Sequence, residues 1–159
     1  MDSLFLEAAL NQARLAAKAD EVPVGAVIVK DGQIIAEAYN TKLASKDVLG
    51  HAEINAIRIA SSVIGDWRLS GCTLYTTLEP CPMCFGTILH ARIDRIVYGA
   101  LDRKWGACGS IVDLASMPLF NHFVTCDHLP HLECAEILTK FFRAKRSFRL
   151  QTSLLEQID

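Results

Sequence analysis

Residues 72–86, CTLYTTLEPCPMCFG, join a β-branched, aromatic run to a turn that carries two thiols three positions apart. CTLYTTL (72–78) has the composition of a strand. From Cys81 the apolar residues recur at helical spacing through Arg92, with Phe85, Ile88 and Leu89 on one face. Pro82 fits the first helical position, where its missing N–H costs nothing. A strand that feeds a helix this way sets both sulfurs in the first turn, where positions i and i+3 can face one point. Such a pair serves as a redox dithiol, as half of a structural zinc site, or as two ligands of a metal whose other ligands lie elsewhere.

On the N-terminal side, Leu6, Ala9, Leu10, Ala13, Ala16 and Ala17 form a stripe that predicts an amphipathic helix over 3–19. VPVGAVIVK (22–30) and QIIAEAY (33–39) read as strands joined by Asp31-Gly32, a tight turn that needs positive φ. After a polar loop, HAEINAIRIASSVIG (51–65) is apolar at 52, 56, 59, 60, 63 and 64 and closed by Gly65, which predicts a second helix. On the C-terminal side, RIVYGA (95–100) is a buried-strand candidate. Residues 101–121 hold no strong period and predict a loop with a short helix. A short strand is expected near HFVTC (122–126). From Pro130, residues 134, 135, 138, 141 and 142 give the apolar face of a closing helix that ends basic at Arg143, Lys145, Arg146 and Arg149. The order α-β-β-α-β-α-β-(β)-α implies a layered α/β domain whose mixed sheet is sandwiched by helices. With 159 residues and a mass of 17.5 kDa, one domain spanning 1–159 is expected.

The formal charge is −2 and the pI about 6.2, so no global basic field holds a polyanion. Any nucleic-acid contact must come from a local patch. The N-terminus lacks the charged-then-apolar order of a secretory signal, and no apolar run is long enough to span a bilayer. Among six cysteines only Cys81 and Cys84 show a motif-like spacing, which favours a reducing cytoplasm and free or metal-bound thiols over disulfides.

A third ligand is read at His51, which opens its helix as Cys81 opens the next. With the strand 72–78 between them, a crossover connection would bring both helix starts to one end of the sheet. The unpaired N–H groups there favour thiolate over thiol. One imidazole and two thiolates suit Zn²⁺, and three protein ligands leave a fourth position for water, as in catalytic rather than structural sites. Two thiolates cancel the charge of the ion, so its water is polarised less and a nearby base matters more. Glu53, two residues after His51, is the candidate general acid/base. H-x-E followed by P-C-x-x-C is the signature of zinc deaminases.

VPVGAVIV (22–29), HAEINAI (51–57), TLYTTLEPCPMC (73–84), YGALDRKWGACGS (98–110), FNH (120–122) and ECAEILTKFFRAKR (133–146) stand in one order along the chain. In these segments the sequence resembles the bacterial tRNA-specific adenosine deaminases, from about residue 5 to 147. The resemblance implies a cytidine deaminase-like three-layer α/β/α sandwich, a homodimer with one Zn²⁺ per subunit, and a tRNA anticodon stem-loop as substrate, its wobble adenosine converted to inosine. It implies zinc on His51, Cys81 and Cys84 and a proton shuttle at Glu53. Asn40 matches the asparagine that hydrogen-bonds the flipped base, Asp102 and Asn121 match loop positions near the flanking nucleotides, and Phe142 and Arg143 match the helix that holds the anticodon loop. Two positions depart from the family pattern. Asp47-Val48-Leu49-Gly50 stands where Asp-Pro-Thr is usual, and Leu101 stands where arginine is usual. A rival reading is a zinc deaminase of a free base or nucleoside, such as guanine, cytosine or cytidine. Another is a non-catalytic tRNA-binding subunit, against which the intact Glu53 argues.

Overall fold

In chain order the elements are α1 (Asp2–Lys18), β1 (Gly25–Lys30), β2 (Gln33–Tyr39), the one-turn α2 (Lys42–Ser45), α3 (Ala52–Ile64), β3 (Cys72–Leu78), α4 (Pro82–His90), β4 (Arg95–Ala100), β5 (Thr125–His128) and α5 (Leu132–Leu155). The computed structural model describes residues 1–117 and 120–155, with side chains as far as Phe148. Pro118, Leu119 and the last four residues of the expected 1–159 span lie outside the described residues.

Asp31 and Gly32 both sit at positive φ, 49° and 75°, as the turn between two right-twisted strands requires. β1 pairs antiparallel with β2 and with β3, while β3, β4 and β5 run parallel, giving a mixed five-stranded sheet in the order β2-β1-β3-β4-β5. Alternation along β1 divides the core into two. Ala26 and Ile28 join Ala52, Ala56 and Ala60 of α3 and Phe85 and Ile88 of α4 on one face. Val27 and Val29 pack with Ala9 of α1 on the other. α5 docks beside α1 through Cys134, Leu6 and Leu10, all fully buried. The result is the expected three-layer α/β/α sandwich. Each buried leucine stabilises it by about 1.5–3 kcal/mol.

α1 approaches the sheet closely. A Cβ on Gly25 would lie 2.0 Å from the carbonyl oxygen of Ala9, so this crossing requires glycine.

Four local expectations are corrected. Residues 101–117 form turns and one isolated bridge, Cys108 to Asp113, and the short helix is absent among the described residues. The short strand begins at Thr125, three residues later than HFVTC, and the loop after β2 contains α2. On α5 only Cys134 of the expected stripe is buried. Leu138 and Phe141 are half-buried, while Ala135 and Phe142 are exposed.

The strand directions set where chemistry can gather. β3 and β4 end in register at Leu78 and Ala100, and β2, antiparallel to β1, ends on the same side at Tyr39. The segments that leave these three ends meet there.

Candidate active site

β3 ends at Leu78, Glu79 and Pro80 follow, and Cys81 then occupies the N-cap of α4 with extended backbone (φ −76°, ψ 168°). His51 occupies the N-cap of α3 in nearly the same conformation (φ −79°, ψ 146°). Neither side chain caps its own helix. Each backbone carbonyl accepts the first helical hydrogen bond, from Phe85 and Asn55, at 2.8 and 2.9 Å. The side chains are thus left to face each other.

His51 Nδ1 lies 3.4 Å from Cys84 Sγ and 3.8 Å from Cys81 Sγ, and all three donor atoms fall within 4.8 Å of one another. A tetrahedral zinc with Zn–S of about 2.3 Å and Zn–N of about 2.0–2.1 Å separates sulfur from nitrogen by about 3.6 Å. The two observed distances bracket that value. Hydrogen bonding from Cys84 holds the Cys81 thiol down at about 4, and the same interaction together with burial pushes Cys84 up. The Cys81 sulfur in turn raises the His51 imidazole above its ordinary value. Soft sulfur donors with an imidazole, in tetrahedral reach of one point, fit Zn²⁺.

Glu53, in the first turn of α3, is 4% exposed. Burial pushes its carboxyl up to about 7. It borders a cavity of about 490 Å³ whose wall also includes His51, Cys81, Asn40, Asp102 and Trp105, within the size range of small-molecule sites.

Asn40 follows β2 and lies buried against this cavity. Its Nδ2 donates to Glu21 Oε2 at 3.0 Å, which fixes how the amide faces the cavity. Glu21 also accepts from the backbone N–H groups of Leu43 and Ala44, at 3.1 and 2.6 Å, and so holds the one-turn α2. Asp102 borders the cavity too, its Oδ1 accepting from the N–H groups of Lys104 and Trp105. The fold therefore brings together His51, Cys81, Cys84, Glu53, Asn40 and Asp102.

The other three residues lie apart from them. Asn121 accepts a hydrogen bond from Arg92 Nη1 at 2.9 Å beside a second cavity of about 520 Å³, which shares Pro82 with the first. Phe142 and Arg143 are exposed on α5 and border neither cavity, and the Phe142 ring meets Phe141 edge-on at 5.5 Å.

Two buried carboxylates were missed by the sequence reading. Glu21 sits directly before VPVGAVIV, and Glu79 directly before Pro80-Cys81. The only signal was their adjacency to motif segments, and an acidic residue beside a strand reads by default as solvated.

Residues 1–100 match the family described as the cytidine and deoxycytidylate deaminase zinc-binding region. A tRNA-specific adenosine deaminase of Agrobacterium fabrum is 48% identical over 149 residues, covering 89% of this chain and 94% of that one. A solved structure from work on A-to-I editing by tRNA:A34 deaminases at the wobble position of transfer RNA is 46% identical. It superposes with a TM-score of 0.77 over 80% of this chain and 98% of its own. A guanine deaminase from Bacillus subtilis is 36% identical, with a TM-score of 0.61 over 91% of this chain and 93% of its own.

Proposed function

The chain belongs to the cytidine and deoxycytidylate deaminase zinc-binding family and, within it, to the tRNA-specific adenosine deaminases; on that premise we propose that it hydrolyses the wobble adenosine of a tRNA anticodon to inosine. The observation that carries this reading is the buried Glu53 carboxyl, which shares one cavity with His51 and Cys81 of the His51, Cys81 and Cys84 donor triad. His51 Nδ1 and the two sulfurs would hold one Zn²⁺ per subunit. Zinc bound there supplies Lewis acidity that activates water at neutral pH.

The remaining steps belong to the chain. Glu53 accepts one proton of the attacking water and delivers it to N1 of the purine, then carries the proton of the new C6 hydroxyl to the amino group, so that the C6–N bond breaks, ammonia leaves and the C6 carbonyl of inosine forms. A carboxyl poised near neutrality can run in both directions. Asn40, braced by Glu21, would hydrogen-bond the flipped base, and Asp102 would meet the nucleotide beside it. Asn121, Phe142 and Arg143 lie outside the cavity, a placement compatible with contacts farther along the RNA. An unpaired anticodon nucleotide leaves its stack at less cost than a paired one, which suits a single-stranded loop as substrate.

The family resemblance also leads us to a homodimer. The exposed Ile59 and Val63, four apart on the outer face of α3, support it as apolar surface that a second copy would cover. No helix among the described residues is long and apolar enough to cross a membrane. The cytoplasm, where tRNA is modified in a reducing medium, is the proposed compartment.

Hydrolysis of a free purine base is a second reading, supported by the likeness to the guanine deaminase. One experiment separates the two. The protein and its Glu53→Ala variant are incubated with a wobble-adenosine tRNA and, separately, with adenosine, adenine, guanine, cytosine and cytidine, and inosine and ammonia are measured. Inosine in the tRNA alone, made only by the unmodified protein, is expected. Ammonia from a free base with the tRNA untouched would overturn the substrate assignment.

A further inference from the structure

Glu79 is 1% exposed, yet it is part of neither the donor triad nor the proposed proton path. The hydrogen bonds of its carboxylate go to the loop after β4. Oε2 accepts from the Asp102 N–H at 3.0 Å and from the Ser110 hydroxyl, and Oε1 accepts from the N–H groups of Cys108 and Ser110 at 2.9 and 3.1 Å. The loop closes tightly over this carboxylate. A Cβ on Gly106 would lie 2.5 Å from both Glu79 Cδ and the Asp102 carbonyl oxygen, so side chains are excluded there. Within the clamped segment, Asp102 Oδ1 takes the N–H groups of Lys104 and Trp105, at 2.8 and 3.1 Å. The backbone that carries Trp105 is thereby fixed at both ends.

The indole itself is 67% exposed, and it lines the mouth of the cavity that holds Glu53. A rigid loop that holds a large aromatic surface open to water contributes no core, and buried tryptophan would be the stable default. Glu53, Glu79 and Asp102 of the cavity wall are buried or half-buried, whereas the exposed charges of that wall and of residues 101–105 are cations. Lys42 lines the same cavity, Arg103 and Lys104 precede Trp105, all three are exposed, and none forms a salt bridge among the described residues. An aromatic platform beside unpaired cations is the arrangement that binds unpaired nucleotides, stacking on the base while the cations meet the phosphates.

We propose that Trp105, presented by the loop clamped on Glu79, stacks on the nucleobase adjacent to the one entering the cavity, and that Glu79 is the positioning residue for that contact. The proposal rests on the tRNA reading above and names a part of the substrate, an unpaired flanking base, that a free nucleoside lacks.

The test uses the zinc-loaded protein and an anticodon stem-loop RNA with a wobble adenosine. Trp105→Ala should raise KM on the order of 5- to 100-fold, the worth of one base stack. It should leave kcat and zinc content nearly unchanged, since ground-state and transition-state binding are lost alike. Trp105→Phe should recover most of that loss. Glu79→Gln supplies an N–H where only acceptors fit. It should raise KM with zinc retained, and adding Trp105→Ala to it should raise KM little further, as for two residues acting through one contact. Trp67 and Trp105 are the only tryptophans in the chain, so a Trp67→Phe, Glu53→Ala protein reports Trp105 alone. Its fluorescence should be quenched saturably by the RNA.

A KM for Trp105→Ala that stays within about twofold of the unmodified protein, or fluorescence unmoved by RNA, overturns the proposal while leaving the reaction standing. A change in oligomeric state on Trp105→Ala, with KM unaltered, assigns the indole to a protein contact and overturns it likewise. No inosine from the unmodified protein would overturn the tRNA reading, and this proposal with it.

Discussion

Glu53 is surrounded closely enough that changing it tests chemistry rather than folding. Glu53→Gln preserves shape and removes the proton carrier, so turnover should fall on the order of 10²- to 10⁴-fold with zinc content and melting temperature near those of the unmodified protein. Steady-state kinetics beside metal analysis checks this. Cys84→Ala removes a fully buried donor, and zinc and activity should be lost together, as measured on the purified variant by metal content and inosine formation. Residues of this kind were legible in the sequence because each motif is local. His51 and Glu53 share one helix start, as do Cys81 and Cys84, and their spacing alone sets them on one side of a turn. Glu21 and Glu79 were not legible for the opposite reason. Their donors come from Leu43 and Ala44, and from Asp102, Cys108 and Ser110, more than 20 positions away, so nothing near either carboxylate marks it as buried.

At the level of elements, the existence and approximate bounds of periodic or punctuated segments followed expectation, although the buried faces of α3 and α5 are narrower than their apolar stripes. The hairpin followed from Asp31-Gly32, and α3 ends at Gly65 in the left-handed conformation that a helix terminus favours. Segments held by tertiary hydrogen bonds did not. α2 is a single turn, too short to form on its own propensity, and it exists because Glu21 accepts its first N–H groups. Residues 101–110 hang on Glu79 in the same way, so the loop expected there is held by turns without the short helix. The α1–β1 crossing gives a direct test of packing. Gly25→Ala puts a methyl group where the Ala9 carbonyl oxygen already is, and should cost about 1–3 kcal/mol or more through displacement of α1. Urea unfolding of the variant, with an unchanged m-value, is the expected outcome.

Over the whole molecule, stability and chemistry sit at different ends of the sheet. Arg95, at the start of β4, hydrogen-bonds Asp2 of α1 and Asp127 of β5, and the Tyr75 hydroxyl of β3 donates to Asp2 at 2.7 Å, so one cluster ties four elements. The Arg95 guanidinium holds the Asp2 carboxyl down to about 2. In the unfolded chain the same group titrates at about 3.9. Its stabilisation is therefore complete above about pH 4 and lost as pH falls through about 2. The cluster is partly exposed, so Asp2→Asn should cost about 0.2–1 kcal/mol at neutral pH. The gap in melting temperature from the unmodified protein should be about 1–4 °C and should close as the pH is lowered toward 2. Inosine formation should be unchanged, since none of these groups borders the cavity. The opposite end has a different kind of freedom. Three of the four hydrogen bonds that Glu79 receives come from backbone N–H groups, which any non-proline residue supplies. Descendants of this chain can exchange the side chains at 103, 104 and 105 without loosening the clamp or disturbing the metal donors, so substrate preference can drift in a lineage whose chemistry is inherited intact.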